Sequence, residues 1–129
     1  MYREDLSPYR DLRGQIVPGV FCIGWLSREH PFPTGEIPRG VLERIANACF
    51  SPKNQMRGFH RSPFLPVGAD LPIAEYGGRT MRLGSAEVWI LGANGKTYAS
   101  PNLVYHYVRD AHYLPPQEYI DSITCLERA

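Results

Sequence analysis

Residues 83–99 read LGSAEVWILGANGKTYA. The first half of this stretch is rich in β-branched and aromatic residues, and Lys-Thr-Tyr-Ala follows the tetrapeptide Gly92-Ala93-Asn94-Gly95. An Asn-Gly pair between two such runs favours a tight turn between antiparallel strands, because both residues accept the positive φ that the turn requires. The sequence therefore predicts a β-hairpin, as part of a small antiparallel sheet.

Hydrophobic periodicity predicts further elements on both sides of the hairpin. The apolar run VFCIGWL at residues 20–26 is typical of a buried strand. Residues 38–50 and 101–112 carry apolar side chains at helical spacing, and each range starts at a proline suited to a first helical turn. A last helix begins at Gln117. These elements predict an α+β fold in a single domain over residues 1–129, with the sheet packed against about three helices.

The segments between these elements are rich in proline and glycine. The chain contains 12 Gly and 12 Pro in 129 residues, so long uninterrupted helices are excluded. The sequence predicts a rigid extended loop at residues 30–35, because Pro31 and Pro33 fix φ and remove N–H donors. Residues 55–62 are expected to form a short strand. Residues 63–79 are expected to form a long irregular excursion, of a kind that is often functional or mobile.

The composition of the chain indicates the cellular compartment of the protein. No stretch approaches ~18 consecutive apolar residues, and the N-terminal MYREDLSPYR lacks the apolar run of a signal peptide. We therefore expect a cytoplasmic protein that does not bind a membrane. Cys22, Cys49 and Cys125 are odd in number and widely spaced, so they predict reduced and mostly buried thiols rather than a disulfide framework.

The net charge and its distribution indicate which class of partner the protein binds. The formal net charge is +1, which argues against a nucleic-acid binder. The charge is unevenly distributed, because residues 39–82 hold seven basic and three acidic side chains. Such polarisation could steer a protein partner.

Motifs for several large enzyme classes are absent from the sequence. It contains no Walker loop, no G-x-G-x-x-G after a strand, no H-E-x-x-H and no G-x-S-x-G. Four His and three Cys supply metal-binding side chains, but no C-x-x-C or H-x-H pair occurs. The sequence therefore predicts no metal site and no cofactor.

Several blocks of the sequence resemble a family of small uncharacterised bacterial proteins. The resemblance covers most of the chain and includes GWL at residues 24–26 and HPFPTG at residues 30–35. Its main blocks are GFHRSPFL at residues 58–65, LGSAEV at 83–88, YASPNLVYHYV at 98–108 and HYLPP at 112–116.

The resemblance has one notable departure. Relatives read G-[FY]-H-x-C-x-x-C in the first block, which implies a zinc knuckle, whereas Ser62 and Leu65 stand at the two cysteine positions here. The resemblance thus implies a lost zinc site that leaves His60 behind. It implies no activity.

His60 and Glu87 are the first candidates for chemistry. On a strand beside Arg57 and Arg61, His60 could act as a general base, with Glu87 as its orienting carboxylate and the arginines as anion contacts. The alternative for His60 is a buried imidazole satisfied by one hydrogen bond. For Glu87, inside a predicted strand, a structural ion pair with an arginine is the favoured interpretation.

The helix predicted at residues 101–112 offers a second candidate. There, Tyr105 and His112 share one face, while His106 and Arg109 project away from the apolar stripe. Tyr, His and Arg on an exposed face are typical of a protein-recognition patch. A solvated polar face is the equally weighted alternative.

Two classes of function follow from these residues. The first is a non-catalytic protein-binding module, for example an immunity-type inhibitor that occludes a bacterial toxin. The second is a small hydrolase-like enzyme that uses His60 and Glu87 with Arg57 and Arg61. A degenerate zinc-binding module is a weaker third hypothesis.

Overall fold

The computed structural model describes residues 2–127, with side chains up to Thr124. Over that range the α+β prediction is confirmed. The elements are β1 Pro8–Arg10, β2 Ile16–Cys22, α1 Arg39–Ala48, β3 Ile73–Tyr76, β4 Arg79–Arg82, β5 Glu87–Leu91, β6 Thr97–Pro101, α2 Val104–Asp110 and α3 Gln117–Glu127. None of these helices is long and apolar enough to cross a bilayer.

The main sheet has the strand order β1-β2-β6-β5. Strands β5 and β6 form the predicted antiparallel hairpin, with Glu87 opposite Pro101 and Leu91 opposite Thr97. The pair β2 and β6 is parallel, so the sheet is mixed rather than wholly antiparallel. A parallel pair needs a long crossover connection, and the chain between these two strands contains α1 and the strands β3, β4 and β5.

Strict alternation along the strands gives the sheet two apolar faces. On β5, Val88 and Ile90 are buried in the main core with the helices, while Glu87 and Trp89 lie on the opposite face. That opposite face carries a second, smaller core of Tyr9, Val20, Cys22 and Ala99. The thiols of Cys22 and Cys49 are free and buried as predicted, and the side chain of Cys125 lies outside the described residues.

The helix predictions hold best at the centres of the helices. The prediction for residues 38–50 is confirmed by α1, which follows Pro38 and buries Val41 and Ile45. The prediction for residues 101–112 is wrong at both ends. Pro101 is the last residue of β6, paired with Glu87, so Ser100-Pro101 does not cap a helix. At the other end His112 has a φ of 58°, which no α-helix accommodates.

The strand predicted at residues 55–62 is absent. This stretch does bond to the chain beside β5, but through backbone groups at Lys53, Met56 and His60, which are unevenly spaced. Asn54 and Gly58 have φ values of 50° and 73°, and such angles interrupt an extended strand. This segment is therefore an irregular loop rather than a strand.

The excursion predicted at residues 63–79 is irregular only in its first part. Strands β3 and β4 form a second antiparallel hairpin with its turn at Gly77-Gly78. A Gly-Gly pair is typical of a hairpin turn, whereas the prolines that precede it favour irregular structure.

Gly84 is a position where the fold requires glycine. Its φ is +120°, and a Cβ there would collide with the carbonyl oxygen of His60. We predict that Gly84→Ala lowers the free energy of unfolding by at least about 2 kcal/mol, from backbone strain and displacement of the His60 backbone together.

Gly14→Ala is the matched control, because Gly14 also has a positive φ, +79°, but faces open space. It should cost about 1 kcal/mol, from strain alone. Urea unfolding of both variants measures the difference, and equal losses would contradict the proposed contact between Gly84 and His60.

Candidate functional site

The edge strand β5 is covered at its start by a loop of residues 53–61, which we call the edge loop. Lys53 and Glu87 exchange backbone hydrogen bonds of 2.9 and 2.8 Å. The amides of Met56 and His60 donate to the carbonyl oxygens of Ser85 and Gly84, each at 2.7 Å. These bonds fix the backbone of a segment that has no helix or strand of its own.

A cleft of about 160 Å³ lies between the edge loop, the start of β5 and helix α2. His60 and Glu87 both line it, so the structure brings these two predicted residues to one concavity. Most of the remaining wall is apolar and includes Trp25, Met56 and Tyr107.

The Glu87 carboxylate is occupied by three neutral donors. The Tyr9 hydroxyl donates to it at 2.8 and 3.0 Å from the two carboxylate oxygens. Asn54 Nδ2 and Trp89 Nε1 each donate to Oε1 at 2.9 Å. Burial and the hydrogen bond to Glu87 raise the pKa of Tyr9 well above its ordinary value. The predicted ion pair between Glu87 and an arginine is wrong for the described residues, where Tyr9, Trp89 and the edge-loop residue Asn54 satisfy the charge instead.

His60 is held by its backbone and not by its ring. Its amide bonds to Gly84, whereas its imidazole makes no hydrogen bond to Glu87 among the described side chains. Desolvation lowers the pKa of the imidazole below its ordinary value. His60 is exposed rather than buried. The base-and-orienter pair required by the enzyme hypothesis is not assembled between these two residues.

The edge loop presents cations and large apolar side chains together. Met56 is 67% exposed and Phe59 is 44% exposed. Lys53, Arg57 and Arg61 are exposed within the same nine residues. We call these five side chains the basic loop face.

The predicted patch on helix α2 is only partly at the surface. Tyr105 is half-buried, with the Arg109 guanidinium 4.9 Å from its ring centre, and His112 is exposed. The outward position predicted for His106 is wrong, since His106 is 2% exposed. Helix α2 packs against the main core on one side and against the chain near Ser62 and β3 on the other, which covers the polar face that holds His106.

Two hydrogen bonds hold the buried His106 ring. Nδ1 lies 2.7 Å from Asp110 Oδ2, and Nε2 lies 2.9 Å from Ser62 Oγ. Sequence reasoning did not single out Asp110, and it named Ser62 only as a position where relatives carry a cysteine. The spacing of His106 and Asp110, four residues apart on one helix, was a readable signal. No spacing in the sequence pointed to the contact between His106 and Ser62, which lie 44 residues apart.

Comparison with known proteins places the chain in a family. Residues 1–124 match the family model described as "Domain of unknown function (DUF7919)". The chain belongs to this family. No curated protein and no solved structure matches it. The resemblance to an uncharacterised family is thus confirmed at the level of the family, while the zinc-knuckle pattern and a bacterial origin stay predictions.

The structure of the DUF7919 chain also bears on metal binding. Among its described residues, no group of three His, Cys, Asp or Glu side chains is arranged to hold an ion. Ser62 and His106 are in contact, but the third member of their cluster, Asp110, bonds to the far side of the imidazole ring.

The role of Glu87 in the DUF7919 fold can be tested by truncation. Glu87→Ala leaves the Tyr9, Asn54 and Trp89 donors without their shared acceptor, so we predict a loss of about 2 kcal/mol in the free energy of unfolding. Glu75→Ala is the control, because Glu75 is an exposed strand carboxylate with no bonded partner among the described residues. It should change stability by less than about 0.5 kcal/mol. Similar urea midpoints for the two variants would refute the assignment.

Proposed function

We propose that this DUF7919 domain is a protein-binding module that docks an acidic partner on the basic loop face. The observation that carries the proposal is the exposure of Met56 and Phe59 among three cations on a backbone anchored to β5. Large apolar and Arg side chains are enriched at the centres of protein interfaces.

Anchoring supports the proposal because it lowers the entropic cost of binding. The backbone bonds at Lys53, Met56 and His60 order the edge loop before any partner arrives. A surface that is already ordered loses less conformational freedom on association.

Two surface hollows beside Met56 also support the docking of a partner. Met56 lines the cleft described above and a second hollow of about 400 Å³, which is walled by Tyr9, Leu12 and Trp89 among others. Two concavities flank one exposed side chain. Apolar side chains of a partner could fill them and exclude water, as at the hot spots of known interfaces.

Charge favours an acidic partner. Residues 51–69 contain three cations and no acidic residue. Within the described residues, Lys53, Arg57 and Arg61 form no salt bridge. Unpaired exposed cations steer an oppositely charged protein and suppress like-charged ones. Three cations interleaved with Met56 and Phe59 are few for a nucleic-acid site, where affinity grows with the number of phosphate contacts.

The alternative enzyme at His60 and Glu87 has less support, because the Glu87 carboxylate is already bonded to Tyr9, Asn54 and Trp89. Occlusion of a bacterial toxin is one form that the proposed binding could take.

The test is affinity capture with matched variants. Tagged wild-type protein, Met56→Ala/Arg57→Ala and the control Leu91→Ala/Arg39→Ala are incubated with lysate of the source organism, and bound proteins are quantified by mass spectrometry. Leu91 and Arg39 are also exposed but lie outside the edge loop. We predict a protein partner whose capture falls about tenfold with the first variant, is unchanged with the control, and weakens with added salt.

Three results would overturn the proposal. They are equal capture by all three proteins, no captured protein at all, and capture of nucleic acid alone.

A further inference from the structure

Buried His106 joins a hydroxyl to a carboxylate through the two nitrogens of its ring. Ser62 Oγ lies 2.9 Å from Nε2, and Asp110 Oδ2 lies 2.7 Å from Nδ1. This is the order of groups that activates a serine hydroxyl for attack on a carbonyl carbon. We infer that Ser62, His106 and Asp110 form a nucleophilic site that transfers a small acyl group from a carboxylic ester to water, an activity beyond the proposed binding function.

The hydrogen-bond network fixes the proton positions. The Asp110 carboxylate accepts from the His106 ring, so the hydrogen lies on Nδ1 and the lone pair on Nε2 faces Ser62. The backbone N–H of Phe64 donates to Ser62 Oγ at 3.1 Å, which uses one of its lone pairs. The Ser62 hydroxyl therefore donates to Nε2 of His106, and Nε2 is the base that takes this proton.

Asp110 is itself held in place and kept ionised. Arg109 donates to its two oxygens from Nε at 2.9 Å and from Nη2 at 2.8 Å. The same guanidinium bonds to the carbonyl oxygen of Ile73 in β3 and stacks on Tyr105. Principally through the hydrogen bonds from Arg109, the pKa of Asp110 is lowered below its ordinary value. Asp110 and Arg109 thus act as positioning residues behind His106.

A cavity adjoins the nucleophile. Ser62 is 6% exposed and lies in the wall of a cavity of about 280 Å³, together with Arg28, Arg61 and Leu65. This volume fits a small acyl group rather than a drug-sized ligand. Apolar and proline side chains make up much of the remaining wall. An ester is the acyl donor that suits this site, because an alkoxide leaves a tetrahedral intermediate far more readily than an amide anion does.

The residue after the nucleophile sets the source of oxyanion stabilisation. In many serine hydrolases the backbone N–H of that residue binds the oxyanion. Here it is Pro63, which has no N–H. Arg28 and Arg61 line the same cavity, and we assign the oxyanion's cationic donors to these two residues instead.

The proposed reaction has two balanced halves. Ser62 Oγ bonds to the ester carbonyl carbon while its proton passes to His106 Nε2, and Asp110 stabilises the resulting imidazolium. The bond from carbon to the alkoxy oxygen then breaks, and the leaving oxygen takes the proton from Nε2. Water repeats the sequence on the acylated Ser62, giving a carboxylic acid and restoring the hydroxyl.

The test is covalent labelling of the full chain with a tagged ethyl fluorophosphonate. The probe phosphonylates an activated serine and releases fluoride. We expect mass-spectrometric peptide mapping of the folded wild-type protein to find one modified serine, Ser62, and no labelling after heat unfolding. No modification, or modification spread evenly over several serines, would overturn the proposal, and neither result requires a variant to fold.

Variants then separate activation from simple proximity. The chain offers a matched control in Ser27, whose Oγ lies 2.7 Å from Nδ1 of His30 at the surface, with no carboxylate bonded to that ring among the described residues. Ser27→Ala should label at the wild-type rate. His106→Gln and Asp110→Asn should label Ser62 about 100-fold more slowly, with circular dichroism confirming the fold.

Wild-type labelling rates in folded His106→Gln would contradict the assignment. The assay contains no partner protein, so its failure is independent of the binding proposal.

Discussion

Lys53 and Glu87 exchange two backbone hydrogen bonds, of 2.9 and 2.8 Å, and the position of the edge loop beside β5 depends on this pair. Strand β5 lies at the end of the sheet, where its backbone groups would otherwise be open to another chain. The edge loop covers the start of that edge without forming a strand. The same contact brings Met56 and Phe59 to the surface on a fixed backbone.

Glu87 holds the edge loop in place with its side chain as well as its backbone. Its carboxylate accepts hydrogen bonds from Asn54 in the edge loop, Tyr9 in β1 and Trp89 in β5. One residue therefore links three parts of the chain. A carboxylate committed in this way is poorly placed to orient a general base. Farther along the chain, Ser62 reaches the buried His106 on α2, and this second polar contact fixes the chain where it leaves the edge loop.

Local patterns in the sequence predicted local structure, and distant contacts decided the rest. The Asn-Gly hairpin and helix α1 follow from turn chemistry and periodicity, which act within about a dozen residues. A strand is predicted at residues 55–62, but the positive φ at Gly58 interrupts it. Glycine permits such an angle without requiring it, so the sequence alone did not decide the conformation of this segment. The partners of Glu87 and His106 lie 78 and 44 residues away, so the Tyr9 and Ser62 contacts required the folded structure.

The anchored edge loop is the central claim, and amide hydrogen exchange followed by NMR tests it most directly. The amides of Lys53, Met56 and His60 donate to the chain beside β5, whereas those of Arg57 and Phe59 have no acceptor among the described residues. We predict that the first three exchange at least about tenfold more slowly than the other two, because each must break a hydrogen bond before exchange. Exchange of all five amides at the rate of an unstructured peptide would contradict the account.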